Sequence, residues 1–356
     1  MQRGIASIAI GMSLGMLAVP VPAADVPSPT YLDRSQADDD FPFQGEYRGW
    51  QRSQPSLRTS EPVGLQVIAR SNGEFEAMKY PGGLPGNGWA GGNRYALHGQ
   101  RAGDTVRLTG ELFDIELKNG AGTIFSKAGK KAGELHAVHR ISPTMGLEPP
   151  PGADELFTGA DTSLLKDAKV SPEGLLQVGT ETVGTFRNFR MHAEFLLPYM
   201  PAASGQARSN SGFYLQCRYE VQVLDSFGLP GLFNECGSLY RTIPPDFNMC
   251  LPPLEWQTYD IDFREPVFDA EGRKTANGRI SVWHNGVLIH DDIQIPNKTG
   301  AGKPEGPEPM PIKIQDHSNP VQFRNIWLME TNGDEPREWP PLPQLPGPLP
   351  LLFGSK

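Results

Sequence analysis

Short stretches in which apolar and polar residues alternate recur along the chain between turn signals, the period of strands whose successive side chains face opposite ways. From Gly45 to about Arg140 they are Glu46 to Trp50, Gly64 to Ala69, Glu74 to Lys79, Thr105 to Leu117 and Gly133 to Val138. Ser71-Asn72-Gly73, Pro81-Gly82-Gly83 and Lys118-Asn119-Gly120 punctuate them. This pattern predicts a small β-domain over residues 44–140. A Pro/Gly-rich linker follows over 141–154, then a second β-rich unit over 155–332. In that unit Arg279 to His284 and Val287 to His290 flank Asn285-Gly286, which tolerates positive φ at both central positions of a type I′ hairpin. Met310 to Gln315 and Val321 to Met329 read as further strands, and residues 333–356 as an extended Pro-rich tail.

Composition agrees with an all-β reading. Gly (40) and Pro (35) together make up about 21% of 356 residues, against a usual share near 12%, which disfavours a helical bundle. The formal charge is −9 and no basic stripe stands out, so nucleic acid is not an expected partner. Residues 1–24 carry a short basic start (Met1 to Arg3), an apolar run (Gly4 to Val19) and small residues at Val21 to Ala24, the pattern of a cleaved secretory signal. That predicts a periplasmic or secreted product with no membrane span after processing. Residues 25–43 are polar and acidic and read as a linker, with Asp38-Asp39-Asp40 as a solvated run. Cys236 and Cys250, 14 apart in a loop-rich stretch, are candidates for a disulfide, whereas Cys217 falls in a strand pattern and reads as a buried thiol.

Two stretches gather polar residues on one face beyond what water exposure requires. In Asn188 to Leu196, Arg190, His192 and Glu194 oppose Phe189, Met191, Ala193 and Phe195. In Phe213 to Val223, read as one strand, Tyr214, Gln216, Arg218, Glu220 and Gln222 oppose Phe213, Leu215, Cys217, Tyr219, Val221 and Val223. Tyr supplies a stacking surface, Gln reads hydroxyls as donor and acceptor, and Arg with Glu can hold charge or move protons, so the second face suits a sugar. An exposed sheet face with paired charges is the plainer reading. His284 and His290 beside the Asn-Gly turn read as solvated hairpin residues, and His317 as a rim residue.

The block Ser209 to Gly228, with Leu156 to Gly159, Leu254 to Asp262, His284-Asn285-Gly286 and Gln315 to Trp327 in the same order, resembles the 3-keto-disaccharide hydrolase domain family over about half the chain. Cys217 stands where that family would have Gly, and Gln322 where it would have a basic residue. The resemblance implies a concanavalin A-like jelly-roll β-sandwich, here preceded by the small β-domain, and cleavage of the glycosidic bond of 3-keto-disaccharides or 3-keto-glycosides. A C3 ketone acidifies the C2 hydrogen, so cleavage needs a base, a stabiliser for the enolate oxygen and an acid for the leaving oxygen, with water adding to the enone. The reading assigns Glu220 or His192 as base, Arg218 as enolate stabiliser and Glu194 or Asp225 as acid. Tyr214, Gln216, Gln222, Arg190 and His317 are the expected substrate contacts. No cofactor is required, but a divalent cation held by His192, Glu194 and Glu220 is an alternative electrophile. A keto substrate requires a separate sugar 3-dehydrogenase upstream. A non-catalytic carbohydrate-binding module using Tyr214, Gln216 and Trp283, or a surface interaction protein, are the competing readings; so many charges on one face favour catalysis, because burying unused charge is costly.

Overall fold

A computed structural model describes residues 28–52, 59–159 and 161–333. The signal-peptide reading, the Pro-rich tail and residues 25–27 lie outside these residues. Gly45 to Val138 forms a closed eight-stranded antiparallel barrel in which each long strand pairs with the next in sequence, and the first, Gly45–Gln51, closes on the last, Lys131–Val138. Alternation puts Leu65, Val67, Phe75, Leu97, Leu108 and Ile124 inside, where they fill the lumen. The predicted segment Thr105 to Leu117 is two strands, Thr105–Gly110 and Phe113–Lys118, folded back on each other. Strands Tyr95–Ala102 and Ala121–Ser126, which the pattern did not pick out, complete the barrel.

The acidic run before the barrel is structural. Asp38 accepts a hydrogen bond from the Tyr199 hydroxyl at 3.0 Å, and buried Asp40 accepts from Arg101 Nε at 2.6 Å and from the Gly73 N–H at 2.8 Å. The solvated-run reading is thereby corrected for Asp38 and Asp40, whose carboxylates tie the N-terminal segment to both β units.

The second unit is a two-sheet jelly-roll sandwich. The larger sheet runs Asp154–Phe157, Gln322–Glu330, Phe189–Leu196, Trp256–Arg264, Gly278–His284, Val287–Ile295, with Leu176–Gln177 also on Gln322–Glu330. The smaller runs Leu165–Lys166, Thr180–Thr182, Lys313–Ile314, Ser211–Leu215, Tyr219–Val223. One continuous apolar core lies between them, with Phe189, Met191, Phe195, Tyr259 and Ile261 from the larger sheet against Phe213, Leu215, Tyr219, Val221 and Ile314 from the smaller. Asn285 (φ 51°) and Gly286 (φ 75°) make the expected turn between paired His284 and Val287.

Two histidine expectations are overturned here. His284 and His290 are buried: His284 Nε2 lies 3.0 Å from Gln257 Oε1, and His290 Nε2 lies 2.8 Å from the Gly237 carbonyl. Burial drives the His284 pKa down to about 3, so it is a neutral core residue. Cys236 and Cys250 come together, but as free buried thiols rather than the expected disulfide. Cys236 Sγ sits 3.1 Å from the Tyr259 hydroxyl, and Cys250 Sγ faces the Leu224 and Leu251 carbonyls at 3.5 Å. Cys217 is buried, as expected.

A buried ion pair closes the end of the barrel beside the linker. Arg140 donates from Nε and Nη2 to the two carboxylate oxygens of Glu46, both at 2.5 Å, and from Nη1 to the Pro85 carbonyl at 2.7 Å. Gln66 adds a bond to Glu46 at 2.9 Å and is itself held by the Tyr80 hydroxyl at 2.8 Å.

Candidate functional site

Phe213 to Val223 is a hairpin, not one strand. Gln216 (φ 49°) and Cys217 (φ 51°) sit in the left-handed region of the turn, which is the physical reason a Gly is expected at 217. The turn spans three residues, an odd number, so alternation resumes in register and Tyr214 lies directly opposite Glu220. Both are on the face of the smaller sheet turned away from the core.

Cross-strand register extends this face into a row. Lys166 opposes Glu181, Glu181 opposes Lys313, Lys313 opposes Tyr214, and Tyr214 opposes Glu220, so five strands present five side chains in line. Lys166 Nζ bonds Glu181 Oε1 at 3.0 Å, and Lys313 Nζ lies 5.9 Å from the centre of the Tyr214 ring. A cavity of about 530 Å³ opens over Lys166, Glu181, Lys313 and Tyr214 of the row, with Cys217, Lys303, Gln315 and Asp316 also in its wall; Glu220 lies behind Tyr214 and does not line it.

At the end of the row Glu220 is buried with its Oε2 unpartnered among the described residues. Burial pushes its pKa up to about 7, against the opposing effects of the Tyr214 hydroxyl bonded to it and the Lys313 charge. A carboxyl that titrates near neutrality, with an ammonium group two strands away across Tyr214, suits proton transfer. The loop Thr299 to Lys303 crosses above it. Thr299 Oγ1 accepts the Glu220 N–H at 2.6 Å, the Thr299 N–H donates to the Arg218 carbonyl at 2.9 Å, and the Lys303 N–H to the Cys217 carbonyl at 2.9 Å. Two glycines make room for the carboxylate. A Cβ on Gly212 would stand 2.6 Å from Glu220 Oε1, and one on Gly300 (φ +39°) 3.2 Å from Oε2 and 2.8 Å from the Tyr240 ring. Gly212→Ala is therefore expected to lower kcat about tenfold or more, by turning the carboxylate, while the urea midpoint moves little; an unchanged kcat would remove Glu220 from the chemistry.

The other sequence-expected residues are distributed differently. Arg218 does not face the cavity: Nε donates to the Pro304 carbonyl at 3.0 Å and Nη1 to the Glu308 carbonyl and Gln216 Oε1 at 3.0 and 2.9 Å, so it anchors a loop and is not the enolate stabiliser. Gln216 is spent on the Phe186 carbonyl (2.9 Å) and Glu265 (3.0 Å). Asp225 is buried against Arg208 Nε at 2.6 Å and caps the Phe227 N–H, which removes it as the acid. Gln222 remains beside Glu220 on the site face, among Gln206 and Asn210. With its amide turned, Gln222 donates to Glu220 Oε1 at 3.2 Å and to the Ser211 carbonyl at 2.9 Å. His317 is exposed, next to Asp316 of the cavity wall.

Arg190, His192 and Glu194 lie on the outer face of the larger sheet, on the opposite side of the sandwich. Two sheets packed about 10 Å apart separate them from Glu220, so His192, Glu194 and Glu220 cannot ligate one cation, and neither His192 nor Glu194 can act with Glu220. Among the described residues no three His, Cys, Asp or Glu converge in a metal-binding arrangement. His192 Nδ1 pairs with Asp260 Oδ1 at 2.7 Å, and its ring stacks on Trp327. Burial alone would lower its pKa, but the bonds to Asp260 and Glu194 outweigh it and raise it. Glu194 accepts from Arg324 Nε (2.6 Å), Asn325 Nδ2 (3.0 Å) and the Gly146 N–H (2.6 Å). Burial would raise its pKa, but the bonds from His192, Asn325 and Arg324 hold it at about 2. Its stabilisation is present above the ordinary carboxyl pKa near 4.5 and is lost as pH falls toward about 2. Glu194→Gln should flatten the acid limb of an unfolding curve between those values; an unaltered limb would contradict this. Arg190 pairs with Asp262 at 3.2 Å, and Trp283, proposed with Tyr214 as a binding surface, packs with Trp327 on the larger sheet.

Lys313, Gln315 and Glu181 were not singled out from the sequence. They come from strands 30 to 100 residues distant from Glu220, and only the register brings them together; the Gln315-Asp316-His317 block was the one local signal.

Residues 159–329 match the 3-keto-alpha-glucoside-1,2-lyase-like domain family. A crystal structure from Parabacteroides distasonis described as "a putative glycosyl hydrolase" is 32% identical, over 51% of this chain and 85% of that one, with a TM-score of 0.48. A second from the same organism, similarly described, is 19% identical over 51% and 94%, with a TM-score of 0.38. No curated protein matches the chain. The described site lies within the matched residues. By this match, residues 159–329 are identified as a 3-keto-alpha-glucoside-1,2-lyase-like domain.

Proposed function

We propose that the protein cleaves 3-keto-glycosides by elimination and hydration at the outer face of the smaller sheet. The observation that carries this is Glu220, a buried carboxyl with its pKa raised to about 7 at the end of a row that includes Lys313. Glu220 takes the proton from C2; the electron pair moves to the C3 oxygen, where the Lys313 ammonium meets the developing charge. The pair then returns to form the C1=C2 bond as the C1–O bond breaks, and the departing oxygen receives the proton now on Glu220. Water adds to C1 of the enone while C2 is reprotonated, giving the free 3-keto sugar. Tyr214 and Gln222 hold the Glu220 carboxylate in place, and Gln315 and His317 serve the sugar. The keto substrate requires a sugar 3-dehydrogenase elsewhere, and the N-terminal signal would place the reaction in the periplasm or outside the cell.

Reaction in deuterated water tests the chemistry. Elimination and hydration put deuterium on C2 of the released keto sugar beyond the enzyme-free exchange, whereas direct displacement at C1 leaves hydrogen there. Hydrogen retained at C2 would overturn the proposal. Lys313→Met is expected to lower kcat about 100-fold with KM changed only a few-fold, read in steady-state kinetics with and without chelator. Loss of wild-type turnover on chelation would instead move the electrophile to a cation.

A further inference from the structure

A second cavity, of about 270 Å³, lies at the seam where the N-terminal segment, the barrel and the loop after Cys250 meet, and it shares no residue with the site above. Its apolar wall comes from Phe41, Tyr47, Leu251, Pro252 and Pro253. Its polar wall has more donors than acceptors. Glu46 and Arg140 are closed on each other, which leaves Arg34, His139 and Glu255. The Glu255 carboxylate takes both Arg34 Nη2 and His139 Nδ1, the latter at 3.1 Å, so one acid faces two basic side chains. Gln44 adds a donor. Its Oε1 accepts the Ala69 N–H at 3.0 Å, which fixes the amide orientation, and its buried Nε2 has no partner among the described residues.

We propose that this cavity binds a compact monocarboxylate, its carboxylate taken by Gln44 and His139 and its body laid on Phe41, Tyr47 and the two prolines. Pockets at the junction of two folded units, mostly apolar with a few convergent polar groups, are the usual setting for small ligands. Bound here, an anion balances the second basic group and satisfies an amide that is otherwise left without a partner, the kind of buried group that costs stability. Charge on His139 is favoured by its bond to Glu255, against burial and the nearby Arg34, with Glu46 adding in the same direction as Glu255. Binding should therefore weaken as pH rises through the raised His139 pKa.

Calorimetric titration of the full chain with sodium glucuronate, sodium benzoate and glucose, at about pH 6 and about pH 8.5, tests this. At least one carboxylate is expected to bind and glucose not, with affinity about tenfold weaker at the higher pH. Which carboxylate binds distinguishes a sugar acid from an aromatic one. Gln44→Glu keeps the acceptor for Ala69 but replaces the free donor by a negative charge, and is expected to weaken binding at least about tenfold. If that variant does not fold, Arg34→Met is read in the same way. Failure of both carboxylates to bind, tight binding of glucose, or binding indifferent to pH and to the substitution would overturn the proposal. Turnover of 3-keto-glycoside is unaffected in either variant, so the result stands apart from the catalytic reading.

Discussion

Glu220→Gln is expected to lower kcat about 100- to 10,000-fold while leaving affinity for a 3-keto-glycoside within a few-fold, because the amide keeps the shape of the side chain but cannot take a proton. The same substitution should make the protein more stable at alkaline pH. Glu220 has a folded pKa raised to about 7 from 4.5, so its ionised form is disfavoured in the fold. The sign follows: below about pH 4.5 the carboxyl is neutral folded or unfolded and nothing is lost, and as pH rises through about 7 the buried charge costs on the order of 3 kcal/mol. Removing that charge should raise the melting temperature at pH 8 and leave it unchanged near pH 4. A variant that loses both turnover and alkaline stability would show Glu220 to be a structural acid. One that loses neither would send the site to the binding-module reading.

Glu46→Gln is expected to destabilise the protein by about 3–5 kcal/mol, the second large effect. Arg140 is buried and spends two of its nitrogens on that carboxylate. Without the opposing charge a buried guanidinium is left without its carboxylate at the end of the barrel. Urea unfolding at neutral pH checks this, and the double change Glu46→Met with Arg140→Met separates the pair from its orphaned half. If the single variant costs as little as a surface substitution, the pair does not stabilise the barrel as described.

How much of this was readable in the sequence depended on whether the signal was local. Alternation marked most barrel strands and the faces of Phe189–Leu196, and Asn285-Gly286 fixed one hairpin outright. What alternation cannot carry is which sheet a strand joins. His192 and Glu220 each lie on a polar face, but those faces look out from opposite sides of one core, so a site that joined them in the sequence dissolves in the fold. The hairpin turn at Gln216 and Cys217 was hidden because its odd length preserves parity, and because non-glycine residues occupy the left-handed positions there. Arg218 and Asp225 had the right chemistry and the right neighbourhood. Their partners, the Pro304 and Glu308 carbonyls and Arg208, are set by tertiary contacts that no local pattern encodes. Lys313 escaped for the converse reason: a lone lysine in a two-residue strand becomes informative only when register sets it beside Tyr214.

Dependence of cleavage on the ketone is tested by incubating the purified protein with 3-keto-trehalose and unoxidised trehalose side by side and measuring glucose release. Glucose is expected from the keto sugar alone. Equal release from both sugars, or release from neither, would contradict it.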